Sequence, residues 1–538
     1  MQIIRDIESK ILDQEFKKYQ FLYRQPDEGI AHILKVMGDL WRDIEIGNNP
    51  VYSVFRRYQF VTILKGLSHC IRWTTNHPSR QIKLPNSTCY DRDKEALEFL
   101  KWGTNYEMLS RDHVAWSKNI LSAQVDENNK IIQFLYPPDL DAIFFLSQLA
   151  AEDKILKKIS NSIPIEALKK DFHEWISEVK FEKKGFRIPE RLVSKTRAYS
   201  NVLSWLENTV FPEISSGTLL NGYTLEQFRR FYASLFINCQ YWTWLEDGVD
   251  QAFGVNNELG TCIMTLTKSQ MIKWLHNISN VDIKAVESIL EDLIFDTSHF
   301  HADLRNQPFI LSNRKNIFLL PRLFANSLPQ RMLSGALNKG TGKQKYEKII
   351  EVVSTSNLLN IASKFKQLGL TVVVEKTIKY NGRKYTPDLI ILDVHNQEIL
   401  IVEYKHTLNP LGTSEVLYKL KELEKGISQL KQYLKIMEIN INNKPFHSLP
   451  QIKAKKIYAM LLFNQPMPLP VTSEAEINII DWPTLNRKLS FEQFVSFSSL
   501  IVWLKSRPDL PKRFKSFIKE SVEVEVAGWK YIHPIVKY

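Results

Sequence analysis

The sequence predicts a chain in two parts: a large, mainly α-helical N-terminal region, then an α/β core on the C-terminal side with the order α-β-β-β-α-β. Three observations lead there. Apolar residues recur at spacings of three and four through much of residues 1–335, the period of amphipathic helices. The stretch from Thr371 to Lys405, TVVVEKTIKYNGRKYTPDLIILDVHNQEILIVEYK, reads instead as three short strands joined by turns. Helical patterns flank it, and KIYAMLLF from Lys456 supplies a further, largely apolar strand.

Along the first region, helical patterns occur at Ile3–Tyr23, Ile30–Ile46, Val51–Trp73, Asp91–Leu100, Leu140–Ile159, Asp171–Val179, Arg197–Leu206 and Leu225–Leu245. Phe228-Arg229-Arg230-Phe231-Tyr232 and Tyr241-Trp242-Thr243-Trp244 set arginine beside aromatics. Such runs can stack bases, but packing in a large helical core is the favoured reading. His299-Phe300-His301-Ala302-Asp303 lacks a surrounding strand pattern, so a structural or solvent-facing role is expected over metal ligation; Asp112-His113 is read the same way. Phe309 to Leu320 looks like a hairpin. Gly335 to Gln344 fails as a phosphate-binding loop, because Leu337 and Gln344 stand where glycine and Ser/Thr are required, and it is read as a linker.

A length of 538 residues suggests two or three domains. The expected divisions are 1–335, mainly helical and concerned with recognition or regulation; 336–480, the α/β domain; and 481–538, an extension packed on it. No apolar run reaches the ~18 residues needed to span a bilayer, and MQIIRDIESK lacks a signal-peptide pattern, so a cytoplasmic protein is expected. Cys70, Cys89, Cys239 and Cys262 are scattered and read as buried free thiols. The net charge of +12 favours polyanionic partners.

Within the core, a helix over Tyr346–Leu368 ends near Gly369, and a longer one runs from Ser414 to Ile439. In the latter Val416, Leu420, Leu423, Ile427, Leu430 and Leu434 make a stripe for burial. Asn381-Gly382 is a type I′ hairpin signal, since both residues tolerate positive φ. If Tyr380 pairs with Arg383, Glu375 falls opposite Asp388. If Asp393 pairs with Glu398, Asp388 falls opposite Glu403. Lys405, two residues on, shares that face. Like charges so gathered need neutralising, and a divalent cation such as Mg²⁺ does so with one or two carboxylates. Glu375 enters as an extra acid on register alone.

Pro387-Asp388, an apolar strand, then Glu403-Tyr404-Lys405 resembles the signature of the PD-(D/E)xK nuclease superfamily. Gln429 and Tyr433, one helical turn apart, resemble the QxxxY element of its RecB-like branch, and Glu347 stands where such nucleases often carry an acid on the helix before the first strand. The likeness spans roughly residues 340 to 465. It implies a restriction-endonuclease-like core, with Asp388, Glu403 and the Tyr404 backbone carbonyl as metal ligands and Glu347 near a second metal or its water. Lys405 would orient water and stabilise charge ahead of general-base work, because neighbouring carboxylates favour the charged amine. Gln429 and Tyr433 would touch nucleic acid or support that lysine. The cofactor implied is Mg²⁺, with Mn²⁺ able to substitute.

The expected function is therefore metal-dependent hydrolysis of nucleic-acid phosphodiesters, DNA ahead of RNA. By analogy of architecture the setting would be prokaryotic restriction or anti-phage defence. The alternative is a non-catalytic nucleic-acid-binding or scaffold protein that keeps a nuclease fold. No membrane partner is expected; a second copy of the chain or a partner protein would dock through the helical N-terminal region.

Overall fold

The computed structural model describes residues 2–46, 53–77, 89–119, 121–135, 163–182, 185–187, 196–253, 263–299, 302–312, 315–338, 343–407, 413–440, 454–466, 476–491, 494–506 and 518–537. The expected helix Leu140–Ile159, Phe300-His301 and Cys262 lie outside the described residues. The chain divides into two compact units, Met1–Ser110 with Ile159–Ile349, and Arg111–Lys158 with Ile350–Tyr538. Among the described residues no helix is long and apolar enough to cross a membrane.

The first unit is mainly helical. Its helices include Pro26–Ile46, Ser53–Asn76, Arg197–Thr209 and Leu225–Phe253. Local chemistry sets several boundaries: Thr267 and Gln270 form a capping box that opens Lys268–Ser279, and the Asp282 carboxylate accepts from the Ala285 N–H at 2.9 Å to start Ile283–Leu293. The opening stretch, expected as one helix, is broken into Gln2–Ile7, a π-turn and short 3₁₀ turns, with Phe21 and Leu22 buried at the last of them. Phe228, Phe231, Tyr232 and Tyr241 are fully buried, so the aromatic run packs a core. Asp303 is buried against the Arg305 guanidinium. Ile310–Leu311 and Asn316–Leu319 pair as the expected hairpin, and Met264–Thr267 adds a third strand. Gly335 lies inside helix Pro329–Leu337, so the connector to the next helix begins only after Asn338. Cys70 and Cys239 are buried free thiols.

The second unit contains a mixed five-stranded sheet. Its elements, numbered along the chain from the helix that leads into it, are α1 (Lys343–Gln367), β1 (Thr371–Val374), β2 (Ile378–Tyr380), β3 (Arg383–Tyr385), β4 (Leu389–Asp393), β5 (Glu398–Lys405), α2 (Thr413–Asn440), β6 (Lys456–Phe463), β7 (Ile477–Asp481), α3 (Trp482–Phe491) and α4 (Phe497–Ser506). The sheet order is β7-β6-β5-β4-β1, antiparallel across β1-β4-β5 and parallel across β5-β6-β7. Strands β4 and β5 are apolar on both faces because both are covered. Leu389, Ile391, Leu400 and Val402 pack on α1, α3 and α4. Ile390, Leu392, Ile399 and Ile401 pack on the Leu423, Ile427, Leu430 and Leu434 stripe of α2.

Two features differ from the expected layout. The first two strands are each cut in two, leaving β2 and β3 as a separate two-stranded ribbon. Glu375 takes a left-handed φ of 47°, and Pro387 withholds an N–H from the ladder. The second difference is a hairpin, Ser122–Asp126 with Ile131–Leu135, inside the region expected to be helical. It joins the C-terminal strands Trp529–Lys537 and Ile518–Val526 in a four-stranded sheet, and the Asp112 carboxylate meets His533 Nδ1 at 2.5 Å within the same unit.

Ile401 is fully buried at the centre of the sheet. Ile401→Ala should destabilise this unit by about 2–5 kcal/mol, read from the shift in its denaturant midpoint; a loss under about 1 kcal/mol would mean that the α2 layer is not packed as described.

Candidate active site

The site is assembled by strand register. Tyr380 pairs with Arg383, and Asp393 with Glu398, as the turn chemistry requires. Leu389 pairs with Val402 on β5 and with Val374 on β1, so the next position outward brings Asp388 level with Glu403 on one side and Glu375 on the other. The Glu375 N–H donates to the Asp388 carbonyl at 2.9 Å. Alternation along both strands places Asp388, Glu403 and Lys405 on the α2 face, with Tyr404 turned to the other.

Helix α2 completes the group from above. Lys405 Nζ donates to Glu403 Oε1 at 2.8 Å and to Gln429 Oε1 at 2.9 Å. Tyr433, one turn further along α2, donates its hydroxyl to the Thr386 carbonyl at 3.3 Å, bracing the segment just before Asp388. Asp388 Oδ2 accepts from the Tyr404 N–H at 2.6 Å. Gln429 and Tyr433 thus meet the lysine and the acid-bearing strand rather than open solvent.

Burial and like charge dominate the electrostatics. Burial first, and then the neighbouring Glu403, push the Asp388 carboxyl up to about 7, against the Tyr404 N–H and Lys405, which favour the carboxylate. Burial also raises Glu403, although Lys405 opposes it. Glu403 is 3% exposed, and its Oε2 has no hydrogen-bond partner among the described residues. An unpartnered carboxylate oxygen beside a second strained acid fits a cation ligand set better than a closed ion pair. Among the described residues no three or more His, Cys, Asp and Glu side chains stand together as a complete metal cage. Two carboxylates suffice for Mg²⁺ when substrate phosphate and water supply the remaining oxygens.

The remaining sequence-derived residues are placed unequally. Glu375 is exposed at the rim, close enough to raise Asp388, and its left-handed backbone takes it out of the strand alternation. Glu347 is exposed near the start of α1. Half-buried His406, next along from Lys405, is lowered to about 4 by desolvation and by Lys419. Sequence reasoning missed Gly426. A Cβ there would lie 2.6 Å from Leu461 Cδ1 and 3.3 Å from Lys405 Cε, so glycine lets α2 settle directly over the lysine stem. Its signal was a lone glycine inside a strong helical pattern. Lys425, beside it, lowers Glu403 electrostatically.

Comparison with protein-family models, with curated proteins and with solved structures finds no match to this chain in any of the three.

This geometry carries two testable outcomes. Because folding raises Asp388 from 3.8 to about 7, its contribution to stability is complete below its ordinary range and is lost as pH rises through about 7. In EDTA the wild-type melting temperature should therefore fall between about pH 5 and pH 8, and Asp388→Asn should flatten that fall; an identical slope in the variant would remove Asp388 as its source. Gly426→Val should cost about 1–3 kcal/mol through overpacking against Leu461, and Leu461→Ala should recover part of the loss in the double variant, measured by urea denaturation.

Proposed function

We propose that this protein is a metal-dependent nuclease built on a restriction-endonuclease-like core, hydrolysing nucleic-acid phosphodiester bonds, with DNA the leading candidate substrate ahead of RNA. The observation that carries the reading is the pairing of two half-buried to buried acids, Asp388 and Glu403, on one sheet face with Lys405 Nζ 2.8 Å from Glu403. That spacing matches the Asp…Glu-x-Lys pattern of the resembled superfamily. Supporting it are the Gln429 contact to Lys405 and the succession α1, β1, β4, β5, α2, β6 of the sheet strands and the helices between them, with the β2–β3 ribbon inserted.

In this reading Asp388 and Glu403 would hold Mg²⁺, with the Tyr404 carbonyl as a third donor. When bound, the cation supplies charge neutralisation at the phosphate and a more acidic attacking water. Lys405, steadied between Glu403 and Gln429, directs its ammonium at the attacking water and at the charge that grows on the phosphoryl oxygens. Tyr433 keeps the strand before Asp388 in place. Glu375 adds negative potential at the rim.

Purified full-length protein should cut DNA in Mg²⁺ or Mn²⁺ and not in EDTA. Asp388→Ala should abolish cutting while binding persists, and Lys405→Ala should slow it by about 10²–10³-fold, the size of losing one aimed electrostatic group. Binding without cutting under every metal condition would favour the non-catalytic scaffold. Cutting indifferent to EDTA and to both substitutions would sink the assignment.

A further inference from the structure

We infer that the β2–β3 ribbon is an arm that grips the phosphate backbone of duplex DNA and leads it to the acids. Only the delivery of DNA for cutting rests on the nuclease reading; the grip itself does not. The ribbon leaves the five-stranded sheet at Glu375 and rejoins it at Asp388, so both of its legs end at the site. Its base is closed by the Thr377 and Thr386 hydroxyls, 3.1 Å apart.

Charge and packing give the ribbon two unlike faces. Ile378, Tyr380 and Tyr385 pack into the α2-side core, which holds the opposite face outward. That outward face carries Lys379 and Lys384, directly across from one another in the register. Like charges so opposed destabilise a strand pair unless an anion lies over them. Lys376, Lys379, Arg383 and Lys384 are all exposed, the segment 376–386 contains no acid, and none of the four makes an ion pair among the described residues. Some exposed helical cations elsewhere are matched, as Lys101 is by Glu98 and Arg230 by Glu226, and others such as Lys273 and Lys284 stand singly among the described residues; the ribbon differs in setting two lysines directly opposite one another. A polyanion is the occupant whose charge complements this face. A two-stranded ribbon enters the major groove of B-form DNA, whereas the deep, narrow groove of duplex RNA refuses it.

The test uses full-length Asp388→Asn in EDTA, so that nucleic acid stays intact, with short fluorescently labelled duplex DNA or duplex RNA read by anisotropy across a salt series. Adding Lys379→Ala and Lys384→Ala should weaken DNA binding roughly tenfold per lysine near ~0.1 M salt and reduce the salt slope by about one per lysine. The melting temperature should hold or rise, because a like-charge pair has been removed. Unchanged affinity and slope, a falling melting temperature alongside the loss, or equal binding of duplex RNA would each overturn the proposal. Cleavage by the wild-type chain is scored separately. Loss of ribbon-dependent binding with no wild-type cleavage refutes the nuclease reading and leaves the arm, whereas cleavage with ribbon-independent binding does the reverse.

Discussion

Two carboxylates held side by side in a region mostly shielded from water are the constraint on which the sheet-bearing unit turns. Removing such groups from solvent while they repel each other is costly, and Lys405 with the more distant Lys425 relieves only part of it. Here Lys405 satisfies one oxygen of Glu403 and the Tyr404 N–H one oxygen of Asp388. Glu403 Oε2 remains without a partner among the described residues. The fold thus stores an unmet demand for positive charge at one point, which a divalent cation would meet.

Several otherwise separate features make sense as supports of that point. The apolar character of β4 and β5 on both faces locks the register, because a slip of one residue would carry every side chain to the opposite face. Gly426 lets α2 approach closely enough for Gln429 to reach Lys405. Tyr433 fastens the segment entering β4, and the left-handed Glu375 turns the chain out into the basic ribbon at the place where a phosphate backbone would arrive. The net charge of +12 is in keeping with such a partner.

Much of this was legible in the sequence because it depends on local rules. Asn381-Gly382 dictated one turn and hence the pairing of Tyr380 with Arg383, and the Asp393–Glu398 turn set the second register. The second pairing brings Asp388 level with Glu403, and the first brings Glu375 level with Asp388. The stripe on α2 likewise came from spacing. What was not legible depends on non-local facts. Nothing around Ile131–Leu135 announces that it will lie beside Trp529–Lys537, far along the chain. The break at Glu375 comes from a left-handed φ that glutamate adopts rarely, so the ribbon merged with its neighbours in a pattern-based reading. Gly426 could be seen as a helix-weakening residue, but only the sheet beneath it shows what its missing side chain permits.

The most direct measurement is calorimetric titration of the full-length protein with Mn²⁺ or Mg²⁺ near pH 6.5, in two buffers of different ionisation enthalpy. Cation binding to a pair in which Asp388 is held near 7 must expel protons, so saturable binding is expected with release of a substantial fraction of one proton per cation, abolished by Asp388→Asn. Absence of binding in the presence of a DNA phosphodiester ligand, or binding that releases no proton and ignores that substitution, would contradict it.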